Sequence, residues 1–229
     1  MEERTKLVLI WVVMIFIPPL FTLRLFQDEM LYLNISMKVL HFEFLPRSSL
    51  VFILTSPPLM AFDSVDLRVF LPRAATAFAT LIDTILIYEI AKRYHGKKAG
   101  FLSSLMFLFS FVALRYGARY TLEPWGTLFI LLAIYYFEEK PLTASLSMGL
   151  AFCARETWLT TYPFFLVYAW RKRRKEFLKI LMISAFPIVL NLLFIASISV
   201  YQSPIGYNAR DTLKWGSPLH CAETSAELA

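Results

Sequence analysis

The stretch "AATAFATLIDTILIYEIAKRYHGKK" (Ala74–Lys98) decides the fold. Its first part, Ala74–Ala91, is apolar except for three threonines, Asp83, Tyr88 and Glu89. A helix over that run is about 27 Å long, close to the roughly 30 Å hydrocarbon core of a bilayer. Four positive charges follow at once in "KRYHGKK" (Lys92–Lys98). A short basic cluster against an apolar run marks a cytoplasmic loop. The stretch therefore reads as a membrane span with its cytoplasmic end at Lys92.

Six further apolar runs flank this one, at Leu7–Leu23, Ala99–Leu114, Pro124–Phe137, Leu142–Ala154, Thr157–Trp170 and Phe177–Val200. None alternates as a barrel strand does. The predicted fold is all-α, a polytopic membrane helix bundle of about seven spans. The fifth and sixth runs are short enough for a re-entrant pair, which leaves the later topology unchanged. A second basic loop, "RKRRKEFLK" (Arg171–Lys179), carries six positive charges against one acid. It agrees in parity with the first and places the N-terminus in the cytoplasm. Tyr168 and Trp170 then flank the inner interface, and Tyr116, Tyr120 and Trp125 the outer one. Glu2 and Glu3 offset Arg4 and Lys6 at the head of the chain, and no small-residue cleavage site follows, so Leu7–Leu23 reads as a retained anchor. Residues 1–200 form one transmembrane domain with a long outer loop at 24–73, and 201–229 form a polar outer tail.

Composition agrees. Hydrophobic residues make up 58% of the 229 and charged residues only 17%, against about one quarter charged in soluble domains. The net charge of +6 sits in loop clusters. No basic face with stacking aromatics is laid out, which argues against nucleic acid. Cys153 and Cys221 form no metal-binding spacing, and neither do His41, His95 and His220.

This topology brings three outer connections to one side: the first loop, "RYGARYTLEP" (Arg115–Pro124) and "ARETW" (Ala154–Trp158). Together they deliver acids and bases, namely Asp28 and Glu29, Arg119 and Glu123, Arg155 and Glu156. The bland alternatives are a solvated helix end for Asp28–Glu29, an i, i+4 salt bridge for Arg119 and Glu123, and a hairpin tip for Arg155–Glu156. Against these stands the length of the first loop, since connections of that size usually carry function. The loop also holds "TSPPLMAFD" (Thr55–Asp63), where Pro57 and Pro58 stiffen the chain beside the acidic pair. Within the second span, Glu89 has Lys92 or Arg93 as a partner, whereas Asp83 has none in sequence, leaving structural glue or an ion path open. "NIS" (Asn34–Ser36) is a formal glycosylation sequon on the outer side.

Taken in order, "DEMLY" (Asp28–Tyr32), "SPPL" (Ser56–Leu59) and "LPRAATAFATLIDTILIYEIAKRYHGKKAGFLSSLMFLFSFVALRYGARYTLEPW" (Leu71–Trp125) resemble the N-terminal half of GT-C membrane glycosyltransferases. The likeness is to the protein O-mannosyltransferase and lipid-A aminoarabinose transferase group, over most of residues 7–200. It implies transfer of a sugar from a polyprenyl-phosphate donor to an outer-face acceptor, a protein or a glycolipid. By that resemblance Asp28 is the catalytic carboxylate and Glu29 its companion. Tyr32, Arg119, Glu123 and Arg155 bind substrate. Ser56 stands where the family usually has histidine, so that histidine's role does not transfer. Glu123 stands where Asp is more common.

The implied chemistry is coherent. A carboxylate at the membrane surface serves as base for an acceptor hydroxyl. Arg119 and Arg155 offset charge growing on the lipid phosphate. A divalent metal ion held by Asp28 or Glu123 would do similar work, and the sequence leaves its need open. Family members are usually longer, so the resemblance also implies a truncated or split enzyme whose C-terminal half comes from a partner chain. Two other readings remain open at this stage. One is a non-catalytic GT-C-like subunit or lipid-carrier binding protein. The other is a small transporter, suggested by Asp83 and Glu89, although no internal repeat supports it.

Overall fold

The computed structural model describes residues 2–18, 27–40, 49–60 and 65–202, and all regular structure among them is helical. Helix α1 (Glu3–Trp11) runs into a π-helical turn at Val12–Phe16. Two helices, α2 (Gln27–Leu40) and α3 (Ser49–Met60), occupy the region expected as a long loop. Then come α4 (Val65–His95), α5 (Lys97–Leu108), the short α6 (Phe111–Tyr116) and α7 (Glu123–Tyr136). The chain continues through α8 (Pro141–Ala154), a 3-10 turn (Glu156–Thr161), α9 (Tyr162–Lys172), a second 3-10 turn (Arg174–Glu176) and α10 (Phe177–Gln202). From 203 onward the expected tail lies outside the described residues.

Local chemistry sets these boundaries. Lys92, Arg93 and His95 fill the last turn of α4, where cations meet the negative end of the helix dipole. Gly96 then turns the chain at φ 85°, a value that favours glycine. Ser110 caps α6 by accepting the Ala113 amide at 3.2 Å. Proline in the first turn opens α7, α8 and α9, where its missing N–H costs no helical bond. Pro57 and Pro58 do not make the stiff turn expected of them. They fall in the last turn of α3, so the lost bonds are confined to the helix end.

Helix α4 organises the bundle. One face packs on α1, the π turn and α5 through Leu7, Trp11, Ile15, Ala77, Tyr88 and Leu108. The Trp11 indole N–H donates to the Ala77 carbonyl at 3.1 Å. The other face meets α7, with Ala79 and Leu86 against Leu128. Asp83 lies one turn from each of these two residues, so it shares the α7-facing stripe. It is fully buried, and neither carboxylate oxygen has a hydrogen-bond partner among the described residues. Helix α8 packs on both α7 and α10, and Phe137, Ala144, Ala169 and Ile180 close the joint with α9.

The count of seven spans is not reached by the described helices. Two are long and apolar enough to cross a membrane, Leu67–His95 and Arg174–Ala196. Hydropathy ran across breaks that the backbone makes. Phe109 and Ser110 split the third run, and the turn at Glu156–Thr161 takes residues from the sixth. Helices α7 and α8, at 14 residues each, are about 21 Å long, shorter than the hydrocarbon core. The first run, Leu7–Leu23, lies partly outside the described residues.

Charges gather at two poles about 30 Å apart along α4, at Arg73 and at Arg93. At the Arg93 pole, Arg4 binds Glu89 (2.6 Å), with Lys92 also on Glu89 (3.4 Å). Arg93 pairs with Glu139 at 3.0 Å, and Tyr168 donates to Glu138 at 3.0 Å. Glu89 thus takes Lys92 as one of the two expected partners.

The α8–α10 contact depends on Gly149. A Cβ there would collide with the Ser184 carbonyl oxygen and lie 3.0 Å from the Pro187 ring. Close helix approach in membranes relies on such small residues. Gly149→Ala is therefore expected to cost about 1–3 kcal/mol through overpacking. Thermal unfolding of purified wild type and variant in one detergent checks this, and an unchanged midpoint would count against it.

Candidate active site

At the Arg73 pole the structure builds a site around Glu29, on α2 beside Asp28. The Glu29 side chain is 1% exposed. It accepts from Arg73 Nε at 2.8 Å and Arg73 Nη2 at 2.7 Å, a two-point contact that fixes both planes. It also accepts the Tyr120 amide at 3.1 Å. The acid expected as Asp28's companion is thus anchored by α4 and by the turn between α6 and α7. The side chain of Asp28 lies outside the described residues, as do those of Pro57 and Pro58.

Arg73 was missed in the sequence. It sits in "LPRAA" (Leu71–Ala75), directly at the start of an apolar run, where an arginine is the natural partner for an acid of the preceding segment.

Tyr120 was expected at the membrane interface but is 1% exposed. Its hydroxyl meets Ser36 Oγ at 2.7 Å and Thr55 Oγ1 at 2.5 Å, joining α2, α3 and the α6–α7 turn. Burial pushes this phenol up from its ordinary pKa, while the bonds from Ser36 and Thr55 pull the other way. The Tyr32 ring packs on Phe52 and edge-on to Tyr120. Tyr32, partly buried, packs against the core beside the site. Ser56, at the family's histidine position, is buried and donates to the Phe52 and Ser36 carbonyls, binding α3 to α2. The sequon's Ser36 is fully buried within α2, unlike the surface loop that an occupied sequon occupies.

Arg119 lies in the same turn, half-buried. Burial lowers its guanidinium's pKa, Glu29 opposes this, and Arg115 and Arg73 add to the lowering. Arg119 thus feels the Glu29 carboxylate on one side and Arg115 and Arg73 on the other. Glu123 does not pair with Arg119 at i, i+4, because α7 begins only at Glu123 and the chain before it is turn. Glu123 binds Arg155 at 3.0 Å instead, tying the start of α7 to the end of α8. A Cβ at the neighbouring Gly126 would overlap the Trp158 indole and lie 3.1 Å from Arg155 Cβ. Glu156 is exposed beside it. Among the described residues no three His, Cys, Asp or Glu side chains converge as metal ligands. Glu123 already carries Arg155 as counter-ion.

The described part of the site is a buried carboxylate, Glu29, gripped by Arg73 with Arg119 in the adjoining turn, at one end of an apolar bundle. The profile of the dolichyl-phosphate-mannose-protein mannosyltransferase family matches residues 59–201, more than half of the chain. The chain belongs to that family. No curated protein and no solved structure gives a significant match. Membership in this mannosyltransferase family makes the chain a membrane glycosyltransferase of GT-C type by descent. It also agrees with the two membrane-length helices. The matched span holds Arg73, Arg119, Glu123 and Arg155, whereas Asp28 and Glu29 precede it.

Proposed function

We propose that the chain transfers a mannose-type sugar from a polyprenyl-phosphate donor to an acceptor hydroxyl at the Arg73 pole, which faces outward. The orientation follows from the basic loops at Lys92–Lys98 and Arg171–Lys179, both at the opposite pole. In the reaction the acceptor oxygen bonds to the anomeric carbon while the bond from that carbon to the lipid phosphate breaks. The hydroxyl proton passes to Asp28, and the phosphate leaves with the electron pair. Arg119 meets the charge growing on that phosphate, and Glu29, held by Arg73, keeps the acid-bearing helix in register. Arg155 and Glu123 border the site, with Tyr32 beside it.

The observation that carries this reading is the family match over residues 59–201, in a chain that sets Glu29, Arg73 and Arg119 at one end of its bundle. Arg73 is a counter-ion of the buried Glu29. Arg119, half-buried in the turn beside Tyr120, carries a planar guanidinium suited to an incoming anion. A lipid-borne phosphate is such an anion, delivered at this height in the bilayer.

Purified protein in lipid nanodiscs is offered labelled mannose on polyprenyl phosphate or on a sugar nucleotide, with a peptide or glycolipid acceptor. Transfer from the lipid donor alone is expected, and equal use of the sugar nucleotide would overturn the donor assignment. Arg119→Ala should lower turnover about a hundredfold, the usual loss for one group stabilising developing charge. Arg119→Lys should restore part of it. Turnover unchanged in Arg119→Ala would remove Arg119 from the phosphate.

A non-catalytic, carrier-binding scaffold is the second reading. It is favoured by the engagement of both Glu29 and Glu123 in ion pairs. It predicts carrier binding without transfer in the same assay.

A further inference from the structure

The opposite pole carries a feature that the transfer reaction does not use. Between α9 and α10 the chain makes a tight elbow, Arg173–Glu176. Arg173 is engaged there by the Glu138 carbonyl and, at 3.9 Å, by Glu176. Its neighbours Arg171, Lys172, Arg174 and Lys175 are all exposed, and no salt bridge to them occurs among the described residues. Arg174 stacks on the Trp170 ring at 5.2 Å, and Trp170 meets Phe177 edge-on at 4.9 Å. That aromatic pair has the character of a membrane-interface anchor.

An apolar stripe begins where the cations end. Leu178, Met182, Phe186 and Leu190 follow at four-residue steps on α10, each more than half exposed. Residues four apart share a helix face, so the stripe leads from the elbow into the apolar zone. From Leu178 to Leu190 it runs about 18 Å, a little more than half of the roughly 30 Å hydrocarbon core. A cluster of cations without counter-charge, continuous with an apolar track one leaflet deep, matches one ligand shape. That ligand has an anionic phosphate head and a hydrocarbon chain.

We propose that the α9–α10 elbow is a binding site for an anionic phospholipid. The headgroup phosphate sits among Arg171, Lys172, Arg174 and Lys175, and an acyl chain lies along Leu178, Met182 and Phe186. Each basic group near a membrane surface adds to the attraction for anionic lipid. Arginine adds two-point contact with the phosphate oxygens. The site is distinct from the transfer site by the length of α4, because Arg173 and Tyr168 contact Glu138, whose neighbour Glu139 pairs with Arg93. Its occupancy would hold the joint between α9 and α10 at the membrane surface.

The test uses the full chain, purified in detergent and titrated with phosphatidylglycerol or phosphatidylcholine of equal chain length. Native mass spectrometry counts retained lipid, and the thermal midpoint is followed in parallel. Expected is a single retained phosphatidylglycerol, bound at least about tenfold tighter than phosphatidylcholine. A variant with Arg171→Gln, Lys172→Gln, Arg174→Gln and Lys175→Gln should lose that preference while keeping the wild-type midpoint without lipid. Inorganic phosphate at the same concentration should have no effect. Equal binding of the two lipids, or a preference kept by the variant, would overturn the proposal. A midpoint shift produced equally by inorganic phosphate would replace it with a simple anion site. Leu178→Gln supplies an independent check, because it should weaken retention of phosphatidylglycerol without touching the cations. These results are independent of whether the protein transfers sugar.

Discussion

Arg73→Ala should destabilise the protein by about 3–5 kcal/mol, the range for removing one member of a buried ion pair. The cause is the carboxylate left behind. Glu29 is 1% exposed and takes two charge-assisted bonds from Arg73, at 2.8 and 2.7 Å. Without the guanidinium, its charge stays in an apolar setting with much of its compensation gone. Arg73→Lys should recover little, since an ammonium cannot match the two-point contact. The double variant Arg73→Met/Glu29→Leu should be far less damaging than either single change, because it removes the buried charge altogether. Thermal or denaturant unfolding in detergent, arranged as a double-mutant cycle, gives the coupling directly. Additive effects of the two single changes would show that the pair is not the keystone of this pole.

The keystone role of this pair was only half legible in the sequence. Adjacent acids after a hydrophobic run, with arginines in the other outer connections, pointed to one charged pole, and Glu29, Arg119, Glu123 and Arg155 do gather there. Who pairs with whom was not legible. Arg73 reaches Glu29 across 44 residues, a separation set by the tertiary fold and invisible to local pattern. Arg119 and Glu123 satisfied the i, i+4 rule on paper. The rule needs a continuous helix, and none covers both positions.

The hydroxyl network of Tyr120, Ser36 and Thr55 left no trace in hydropathy, because serine and threonine within helices bond their own backbone and read as neutral. The helical character and the central Ala74–Ala91 run were legible, since an apolar run of that length has few other uses. Of the seven expected spans, two correspond to described helices of membrane length. Hydropathy records composition, whereas Ser110, Arg155 and the turn at Glu156–Thr161 end helices through backbone geometry.

Asp28→Asn bears on chemistry rather than stability. An amide has nearly the size of the carboxylate but accepts no proton at neutral pH. Loss of a general base usually costs between about a hundredfold and ten-thousandfold in rate. The fall should appear in kcat, with KM for the lipid donor little changed, because the arginines proposed to hold the phosphate are untouched. Neighbouring Glu29 should not substitute, since Arg73 and the Tyr120 amide already engage it.

The decisive measurement is therefore transfer of labelled mannose from polyprenyl phosphate, in membranes holding matched amounts of wild type or Asp28→Asn. The account predicts labelled product from wild type and at least about a hundredfold less from the variant, with equal retention of the lipid donor. Equal transfer by both proteins would contradict it. So would retention of the donor by both with transfer by neither, which would make this chain a carrier-binding scaffold.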